Sequence, residues 1–289
     1  MKRDDAMELV TSSLEELAET LKQGKSEAME RYLSAMARFH DYSYRNVMMI
    51  IRQFPEATDV AGYSAWKRLN RWVKQGESGI AIFAPMVGGS QAKQRDVQDS
   101  DANGTTEKGT SMPIGFRVVH VFDISQTDGQ PLPELHRTIG SPGMFLHCIR
   151  EIYRVMEIRL EFAQLPSGTN GYSLGGVVRV SQGLDDANLF RVLVHELAHE
   201  LLHQHLAVAD RGPLALRETE AEAVACVVCQ ACGLETMRRS ADYIALHQGD
   251  VKLLSSSLAK IQRASADIIL MLRNRMTENQ STGETARAA

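Results

Sequence analysis

The first forty residues carry their hydrophobic positions at three- and four-residue intervals, the spacing of one face of an amphipathic helix. These positions are Leu14, Leu17, Leu21, Met29, Tyr32, Leu33 and Met36. Gly24 falls between the two runs and predicts a break, so we expect two helices. A further helix is predicted for residues 43–53, ending before Pro55, because the residue preceding a proline disfavours helical backbone.

Strand patterns follow in the middle of the chain. Residues 80–85 (IAIFAP) and 116–123 (FRVVHVFD) predict two strands of one sheet. The segment between them, residues 87–113, is rich in Gly, Ser, Gln, Asp and Thr and predicts a mobile loop. Residues 127–143 contain three prolines and predict a linker between two domains.

The second half mixes helical and strand patterns. Its predicted elements are a helix at 144–156, strands at 158–162 and 177–180, and helices at 190–205, 218–232 and 250–276. Residues 277–289 are small and polar and predict a disordered tail. The fold class is therefore α+β, with a small N-terminal α+β domain over residues 1–126 and a second domain over residues 144–276.

Composition is that of an ordinary globular protein, with 44% hydrophobic and 24% charged residues. The chain has 32 basic and 36 acidic side chains, and the net charge of −4 argues against a general polyanion binder, although it allows a local basic surface. The start, MKRDDAMELV, is too charged for a secretory signal, and no run of about 18 apolar residues occurs. We therefore expect no membrane span and a cytoplasmic location.

Three of the four cysteines, Cys226, Cys229 and Cys232, fall three residues apart within one predicted helix. Disulfides between consecutive turns of one helix would brace little. The spacing can also suggest a metal cluster, but Cys148 is far away in sequence. We therefore predict small, partly buried thiols in a reducing compartment.

Residues 195–199 read HELAH, the pattern HExxH, within a run whose leucines recur at helical spacing. Residues four apart lie on the same face of a helix, so His195 and His199 can direct two ring nitrogens at one metal ion. Glu196 lies in the neighbouring sector, where it can act as general base toward a water molecule on that metal. The alternative is an amphipathic helix with surface histidines.

A third metal ligand is expected farther along the chain. His203 lies about 12 Å along the helix axis from His195, too far for one ion to bind both. His205 has the position of the third histidine of HExxHxxGxxH, but Leu202 stands where that pattern needs a glycine. Glu218 begins a second helix that can pack on the first. Two histidines and one glutamate leave a position open for water, as in catalytic zinc sites.

Glu222 lies one turn beyond Glu218 on the same face, where it can accept the free N–H of a ligating imidazole. Glu220 is about 200° round the helix from Glu218 and faces elsewhere. The alternative for this stretch is a solvated acidic first turn, which the helix dipole favours. We favour a metal site made of His195, His199 and Glu218, with Zn2+ as the expected ion.

A basic and aromatic run lies between residues 63 and 74. It combines four cations with three aromatic residues and contains no acid: Lys67, Arg68, Arg71, Lys74, Tyr63, Trp66 and Trp72. Cations follow phosphates, and exposed aromatic rings stack on bases, in proteins that bind single-stranded nucleic acids. The alternative is that the tryptophans belong to the core and the basic residues are solvated.

Several stretches resemble the ArdC antirestriction proteins. YSYRNVMMI at residues 42–50, the segment at 66–85 that contains VKQGESG, and FDISQT at 122–127 are similar to the N-terminal domain of that family. HELAH at 195–199 and ETEAE at 218–222 match its zinc motif. The second stretch also matches the related ImmA/IrrE peptidases, where the first glutamate of such a run is the third ligand. The resemblance covers about residues 5–270.

ArdC proteins join a single-stranded-DNA-binding domain to a zincin-like metallopeptidase domain with an HExxH helix. The resemblance therefore implies DNA contacts in the first half, including Arg45, and a zinc centre in the second. Ser78 stands where the family usually has lysine, so one expected basic contact is missing.

Three functions are consistent with these patterns. The first is an antirestriction-type protein that binds single-stranded DNA, carries a zinc peptidase-like domain and protects mobile DNA. The second is a zinc metallopeptidase of the ImmA/IrrE type that cleaves a protein regulator, and the third is a non-catalytic zinc-containing binding protein. Glu196 favours the first two, since structural zinc sites need no general base. The cations of residues 67–74 favour the first over the second.

Overall fold

Tertiary packing divides the chain into two units. The computed structural model describes residues 1–25, 27–87, 113–131, 141–234 and 250–287. The predicted loop at 87–113 and much of the predicted linker at 127–143 lie outside these residues. One unit comprises residues 1–17 and 41–135, and the other comprises residues 18–40 and 136–289.

Helices α1 (Arg3–Lys22) and α2 (Glu27–Arg38) open the chain. Gly24 lies between them with a φ of +81°, in the left-handed region that favours glycine, so the predicted break is confirmed. The apolar face of α2 buries Met29 and Leu33. This packing places residues 18–40 with the second unit, whereas the sequence pattern grouped them with residues 1–126.

The first unit is built around a small antiparallel sheet. Its remaining elements are α3 (Tyr44–Gln53), β1 (Val60–Gly62), α4 (Tyr63–Arg68), β2 (Arg71–Val73), β3 (Ile80–Val87), β4 (Pro113–Asp123) and β5 (Thr127–Gly129). Strands β1, β4 and β3 pair in that order, and β2 pairs separately with β5. The prediction of two paired strands at 80–85 and 116–123 is confirmed.

Helix α3 covers the outer edge of β3 through two amide side chains. Asn46 donates from Nδ2 to the carbonyl of Phe83 and accepts the Phe83 N–H at Oδ1, both at 2.9 Å. Gln53 makes the same pair of bonds with the backbone of Ala81, at 2.8 Å and 3.0 Å. These side chains satisfy backbone groups that an edge strand otherwise leaves unpaired.

The second unit combines a three-stranded sheet with long helices. Its further elements are α5 (Met144–Val155), β6 (Arg159–Ala163), β7 (Gly171–Ser173), β8 (Val177–Ser181), α6 (Asp186–His199), α7 (Leu214–Ala231) and α8 (Val251–Arg287). The strand order is β6-β8-β7, with β6 parallel and β7 antiparallel to β8. Helix α7 contacts α2, α6 and α8. The α+β fold class is confirmed.

Helix α8 is longer than the sequence pattern predicted. Residues 277–287, predicted to be disordered, continue the helix as far as Arg287. Once a helix exists, each further residue adds one backbone hydrogen bond, so polar composition alone does not end it. Two local contacts support the helix where it passes residue 276. Thr277 donates to the carbonyl of Arg273 at 3.1 Å, and Arg275 pairs with Glu278 at 2.7 Å.

The four cysteine thiols are free, and Cys148, Cys229 and Cys232 are buried, which confirms their prediction as core residues. Within the part of the chain that the structure describes, no helix has the length and hydropathy needed to span a membrane.

Candidate functional site

Two rows of side chains leave helix α6 and its π-helical extension, Glu200–Gln204, toward different neighbours. The row that faces α7 consists of His195, His199 and His203. The row that faces β7 consists of Val192, Glu196, Glu200 and Gln204. Because residues four apart share one face of a helix, a single helix can bind a metal on one side and a strand on the adjacent side.

Helix α6 begins with a capping residue and is held in place by its apolar side chains. The carboxylate of Asp185 accepts the backbone N–H of Asn188 at 2.9 Å, which satisfies one free donor of the first turn. Leu193 and Leu197 are completely buried. The histidine row therefore has a fixed orientation relative to the core.

The three predicted ligands converge on one point. Nε2 of His195 lies 3.1 Å from Nε2 of His199. Oε2 of Glu218 lies 3.4 Å from Nε2 of His195, and Oε1 of Glu218 lies 3.4 Å from Nε2 of His199. Donors about 2.0–2.2 Å from a tetrahedral ion are about 3.3–3.6 Å apart, close to these distances, so the side chains can hold one divalent ion. The Glu218 side chain is half exposed, so one side of the site opens to solvent.

The charges around the imidazoles favour a cation. Burial is the largest influence and lowers the pKa of His195, but the carboxylates of Glu218 and Glu222 outweigh it and raise that pKa to about 9. His195 and His199 in turn hold the pKa of Glu218 well below its usual range. The site thus stabilises positive charge, whether a proton or a metal ion carries it.

Glu222 supports the ring of His195 from behind. Its Oε2 lies 3.3 Å from Nδ1 of His195, and its Oε1 accepts a 2.6 Å hydrogen bond from Nη2 of Arg191. Burial raises the pKa of Glu222, but His195 and Arg191 outweigh this effect and lower it overall. A carboxylate on the Nδ1–H side leaves the Nε2 lone pair for a metal, so the geometry fits the supporting role expected of Glu222.

Glu196 is buried against strand β7, beside the three candidate ligands. The residue is only 4% exposed, and its Oε2 has no hydrogen-bond partner among the described residues. Burial is the main cause that raises the pKa of Glu196 to about 7, although the charge of His195 lowers it. Gly171 makes room for this carboxylate, since a Cβ at residue 171 would lie 2.8 Å from Oε1 of Glu196. A carboxyl group with a near-neutral pKa can accept a proton and return it.

Glu200 ties the turn between β7 and β8 to the helix. Its Oε1 accepts hydrogen bonds from Oγ of Ser173 (2.5 Å) and from the N–H of Gly175 (3.1 Å), and its Oε2 accepts the N–H of Gly176 (3.0 Å). One turn farther on, Nε2 of Gln204 donates to the carbonyl of Ser173 at 3.1 Å. None of these residues was predicted to belong to the site. The one local signal is the glycine pair, which is typical of a tight turn.

The pattern HExxH occurs in two overlapping frames, at residues 195–199 and 199–203. Spacing alone does not distinguish them. The structure favours the first frame, because His203 is buried in the core and its Nε2 lies 3.9 Å from the carboxylate of Glu220. His205, the other candidate third ligand, is exposed beyond the π-helical stretch and does not join the cluster.

Two residues predicted to contact DNA lie in the core of the first unit, and the first is Trp66. It is 2% exposed, and its Nε1 donates to the carbonyl of Phe122 at 2.8 Å. The buried ring cannot stack on a base, so the predicted stacking role is wrong. Trp66 lies on the face of α4 that packs inward, where a large aromatic side chain contributes apolar burial.

The second is Arg71, which is also buried. Its guanidinium donates to Oγ1 and the carbonyl of Thr127 and to the carbonyls of Gly129 and Gln130. These bonds hold the β5 segment against β2. A guanidinium enclosed by its own backbone is not available to a phosphate, so this predicted contact is also wrong.

The other predicted DNA contacts remain on the surface: Arg45, Lys67, Arg68, Lys74 and Trp72. The Trp72 side chain is 52% exposed, and Tyr63 of the same run is similarly exposed. Nζ of Lys74 donates to the carbonyl of Ser125 at 2.9 Å. The surface of α4 and β2 thus presents cations and aromatic rings together.

The first part of the chain matches a known family. Residues 2–122 match the family described as the N-terminal domain of anti-restriction factor ArdC. An uncharacterized protein of Bacillus anthracis is 22% identical over 301 aligned positions, which cover 90% of this chain and 50% of that protein. The chain therefore spans half the length of this curated relative.

Two crystal structures of the antirestriction ArdC protein from the R388 plasmid also match the chain. The metal-free form gives a TM-score of 0.47 at 19% identity, covering 80% of this chain and 85% of that one. The Mn(II)-bound form gives a TM-score of 0.46 at 19% identity, covering 83% and 97%.

The fold and the site define an α+β protein of two units, the second of which holds a candidate metal centre. Within that class, residues 2–122 match the N-terminal domain of anti-restriction factor ArdC, the family that the sequence resembles.

Proposed function

We propose that this protein binds single-stranded DNA through its first unit and carries a zinc metallopeptidase-type centre in its second, in an antirestriction role that protects mobile DNA. The observation that supports the hydrolytic part is the convergence of His195, His199 and Glu218 beside the buried carboxylate of Glu196. Structural zinc sites are closed by four protein ligands and need no such carboxylate.

The residues divide the chemistry between them. His195, His199 and Glu218 would hold the ion, and Glu222 would keep the ring of His195 in place. A divalent ion bound there acts as a Lewis acid toward a carbonyl group and toward water. Glu196 would accept the proton of the attacking water at Oε2 and pass it to the leaving nitrogen. Zn2+ is favoured because two imidazoles, one carboxylate and an open position are typical of catalytic zinc, although the same donors suit other divalent ions.

The DNA-binding part is supported by the exposed surface of α4 and β2. Lys67, Arg68 and Lys74 can follow phosphates, and Trp72 and Tyr63 offer ring faces to unstacked bases. With a net charge of −4 for the whole chain, only a local cluster can attract the backbone of a nucleic acid.

A second candidate function is the cleavage of a protein regulator, as in the ImmA/IrrE peptidases. The burial of Trp66 and Arg71 favours it, because both are lost from the set of DNA contacts. In that case the first unit would recognise a protein. A non-catalytic role is the third candidate, but it does not account for the buried carboxylate of Glu196.

Metal analysis of Glu218→Ala tests the ligand set. After loading with Zn2+ and desalting, we expect one ion per chain in the wild type and a strong reduction in the variant, because one of three donors is lost. Asp210→Ala is the matched control, since Asp210 is an exposed acid just before α7. Equal metal retention by Glu218→Ala and Asp210→Ala would contradict the assignment.

Fluorescence polarisation with a labelled single strand tests the DNA part on the full chain. Changing Lys67, Arg68 and Lys74 together to alanine should weaken binding and flatten its dependence on salt between about 50 and about 200 mM. The control removes the same charge from exposed residues of the second unit: Arg150, Arg154 and Lys252. If the wild-type protein shows no salt-dependent binding, the regulator-cleaving peptidase becomes the preferred function.

A further inference from the structure

Glu220 lies between Glu218 and Glu222 on α7 but points to another side of that helix. The residue is 1% exposed, and its carboxylate accepts a hydrogen bond from Oγ of Ser257 at 2.8 Å. Nζ of Lys260 lies 3.2 Å from Oε1 and 3.5 Å from Oε2 of Glu220. Ser257 and Lys260 are three residues apart on α8, so both donors come from one face of that helix.

A buried carboxylate restricts how α7 can pack on α8. Moving it out of water is unfavourable unless donors replace the lost water. The other buried residues of this stretch are small and mostly apolar: Thr219, Ala221, Ala223, Val224, Ala225, Val227, Val228 and Cys229. Apolar contacts are not directional and tolerate rotation of a helix, whereas the two donors of α8 reach the carboxylate at one rotation.

The rotation of α7 decides whether Glu218 reaches the metal site. At a radius of about 6 Å from a helix axis, a rotation of about 20° moves a carboxylate by about 2 Å, whereas metal–ligand distances tolerate about 0.2 Å. Glu218 is half exposed, so packing of its own side chain holds it only partly. The position of Glu218 therefore depends on the contacts that set the rotation of α7.

We propose that Glu220 is a positioning residue of the metal centre. Held by Ser257 and Lys260, it fixes the rotation of α7 and so brings Glu218 to the two histidines. The C-terminal helix α8 thereby takes part in building a site that is formed by α6 and α7. This inference rests on the metal ligation proposed above.

The test uses the full chain and Co2+ alone, whose visible absorption reports the coordination geometry. Glu220→Ala should weaken Co2+ binding by about ten-fold or more and change the absorption spectrum, as loss of a residue that supports a ligand does. Ser257→Ala removes one of the two donors and should weaken binding several-fold. Val227→Ala is the matched control, because it truncates a fully buried residue of the same helix without touching the carboxylate. It should lower the unfolding temperature and leave Co2+ affinity within about two-fold of wild type.

Several outcomes would overturn the inference. A folded Glu220→Ala variant that binds Co2+ as tightly as the wild type would overturn it. A Val227→Ala variant that loses as much Co2+ affinity as Glu220→Ala would also overturn it. If circular dichroism shows that Glu220→Ala does not fold, Ser257→Ala decides, and unchanged affinity there overturns the inference. If the wild-type protein does not bind Co2+, both the proposed ligand set and this inference are overturned. If the wild type binds Co2+ and the variants bind it equally well, only this inference is overturned.

Discussion

The carboxylate of Glu222 contacts the imidazole of His195 on the side opposite to Glu218, with Oε2 of Glu222 3.3 Å from Nδ1 and Oε2 of Glu218 3.4 Å from Nε2. One imidazole is therefore enclosed by two carboxylates from consecutive turns of α7. The carboxylate of Glu218 lies beside Nε2, the candidate ligand atom, and the carboxylate of Glu222 lies beside Nδ1.

Glu222→Gln should weaken metal binding without abolishing it. The amide keeps the shape of the side chain but loses the charge that polarises Nδ1–H, so we expect about ten-fold lower affinity, equivalent to about 1.4 kcal/mol. Competition with a chromophoric chelator measures it. Glu161→Gln serves as the control, since Glu161 pairs with Arg179 on the sheet. Unchanged affinity in Glu222→Gln would show that the contact is not important for the site.

Glu196→Gln should separate metal binding from hydrolysis. The amide fills the same space beside Gly171 but cannot take up a proton, so bound metal should remain. Any peptide hydrolysis by the wild type should fall by about 10²–10⁴-fold. Parallel metal analysis and a fluorogenic peptide assay measure both quantities. Activity that persists in this variant would remove Glu196 from the mechanism.

The two tryptophans should respond in opposite ways to truncation. Trp66→Ala should destabilise the first unit by about 3–5 kcal/mol, because a buried aromatic side chain and its hydrogen bond are lost. Trp72→Ala should leave the fold intact and weaken single-strand binding by about 1–3 kcal/mol if its exposed ring stacks on a base. Thermal unfolding and fluorescence polarisation distinguish these effects. A folded Trp72→Ala protein with wild-type affinity would exclude the stacking role.

Asp123 should make the stability of the first unit depend on pH. Burial raises the pKa of Asp123, but hydrogen bonds from Ser125 and from the backbone of Thr58 and Asp59 outweigh it and lower the pKa overall. A lowered folded-state pKa means that the stabilisation is present above the unfolded value of about 3.9 and is lost as the pH falls through the folded value.

The comparison of wild type with Asp123→Asn measures this effect. At pH 7 the wild type should be more stable by about 1–3 kcal/mol, and the difference should shrink below a pH of about 4. Both tryptophans of the sequence, Trp66 and Trp72, lie in the first unit, so their fluorescence reports its unfolding in urea. A difference that stays constant between pH 7 and pH 3 would contradict the assignment.

Glu200→Ala should loosen the turn between β7 and β8. Three donors lose their acceptor at once, so hydrogen exchange at the amides of Gly175 and Gly176 should accelerate. Exchange in α8 should stay unchanged and provides an internal control. Equal exchange at the two glycines in both proteins would show that other contacts hold the turn.

The predictions that agree with the structure rest on local geometry. The break at Gly24, helix α3 and the placement of His195 and His199 on one face follow from helix periodicity and turn chemistry, which act over a few residues. The extension of α8 beyond residue 276 was missed, because polar composition does not by itself end a helix.

Long-range packing decided what the sequence pattern leaves open. The overlapping frames at 195–199 and 199–203 have the same spacing, and only the position of α7 shows which histidine meets Glu218 and which is buried beside Glu220. Likewise, the sequence by itself determined that cations and aromatic rings alternate between residues 63 and 74, but the packing of that run determined which of them face solvent. Burial depends on neighbours that are far away in the chain, and no short stretch of sequence contains that information.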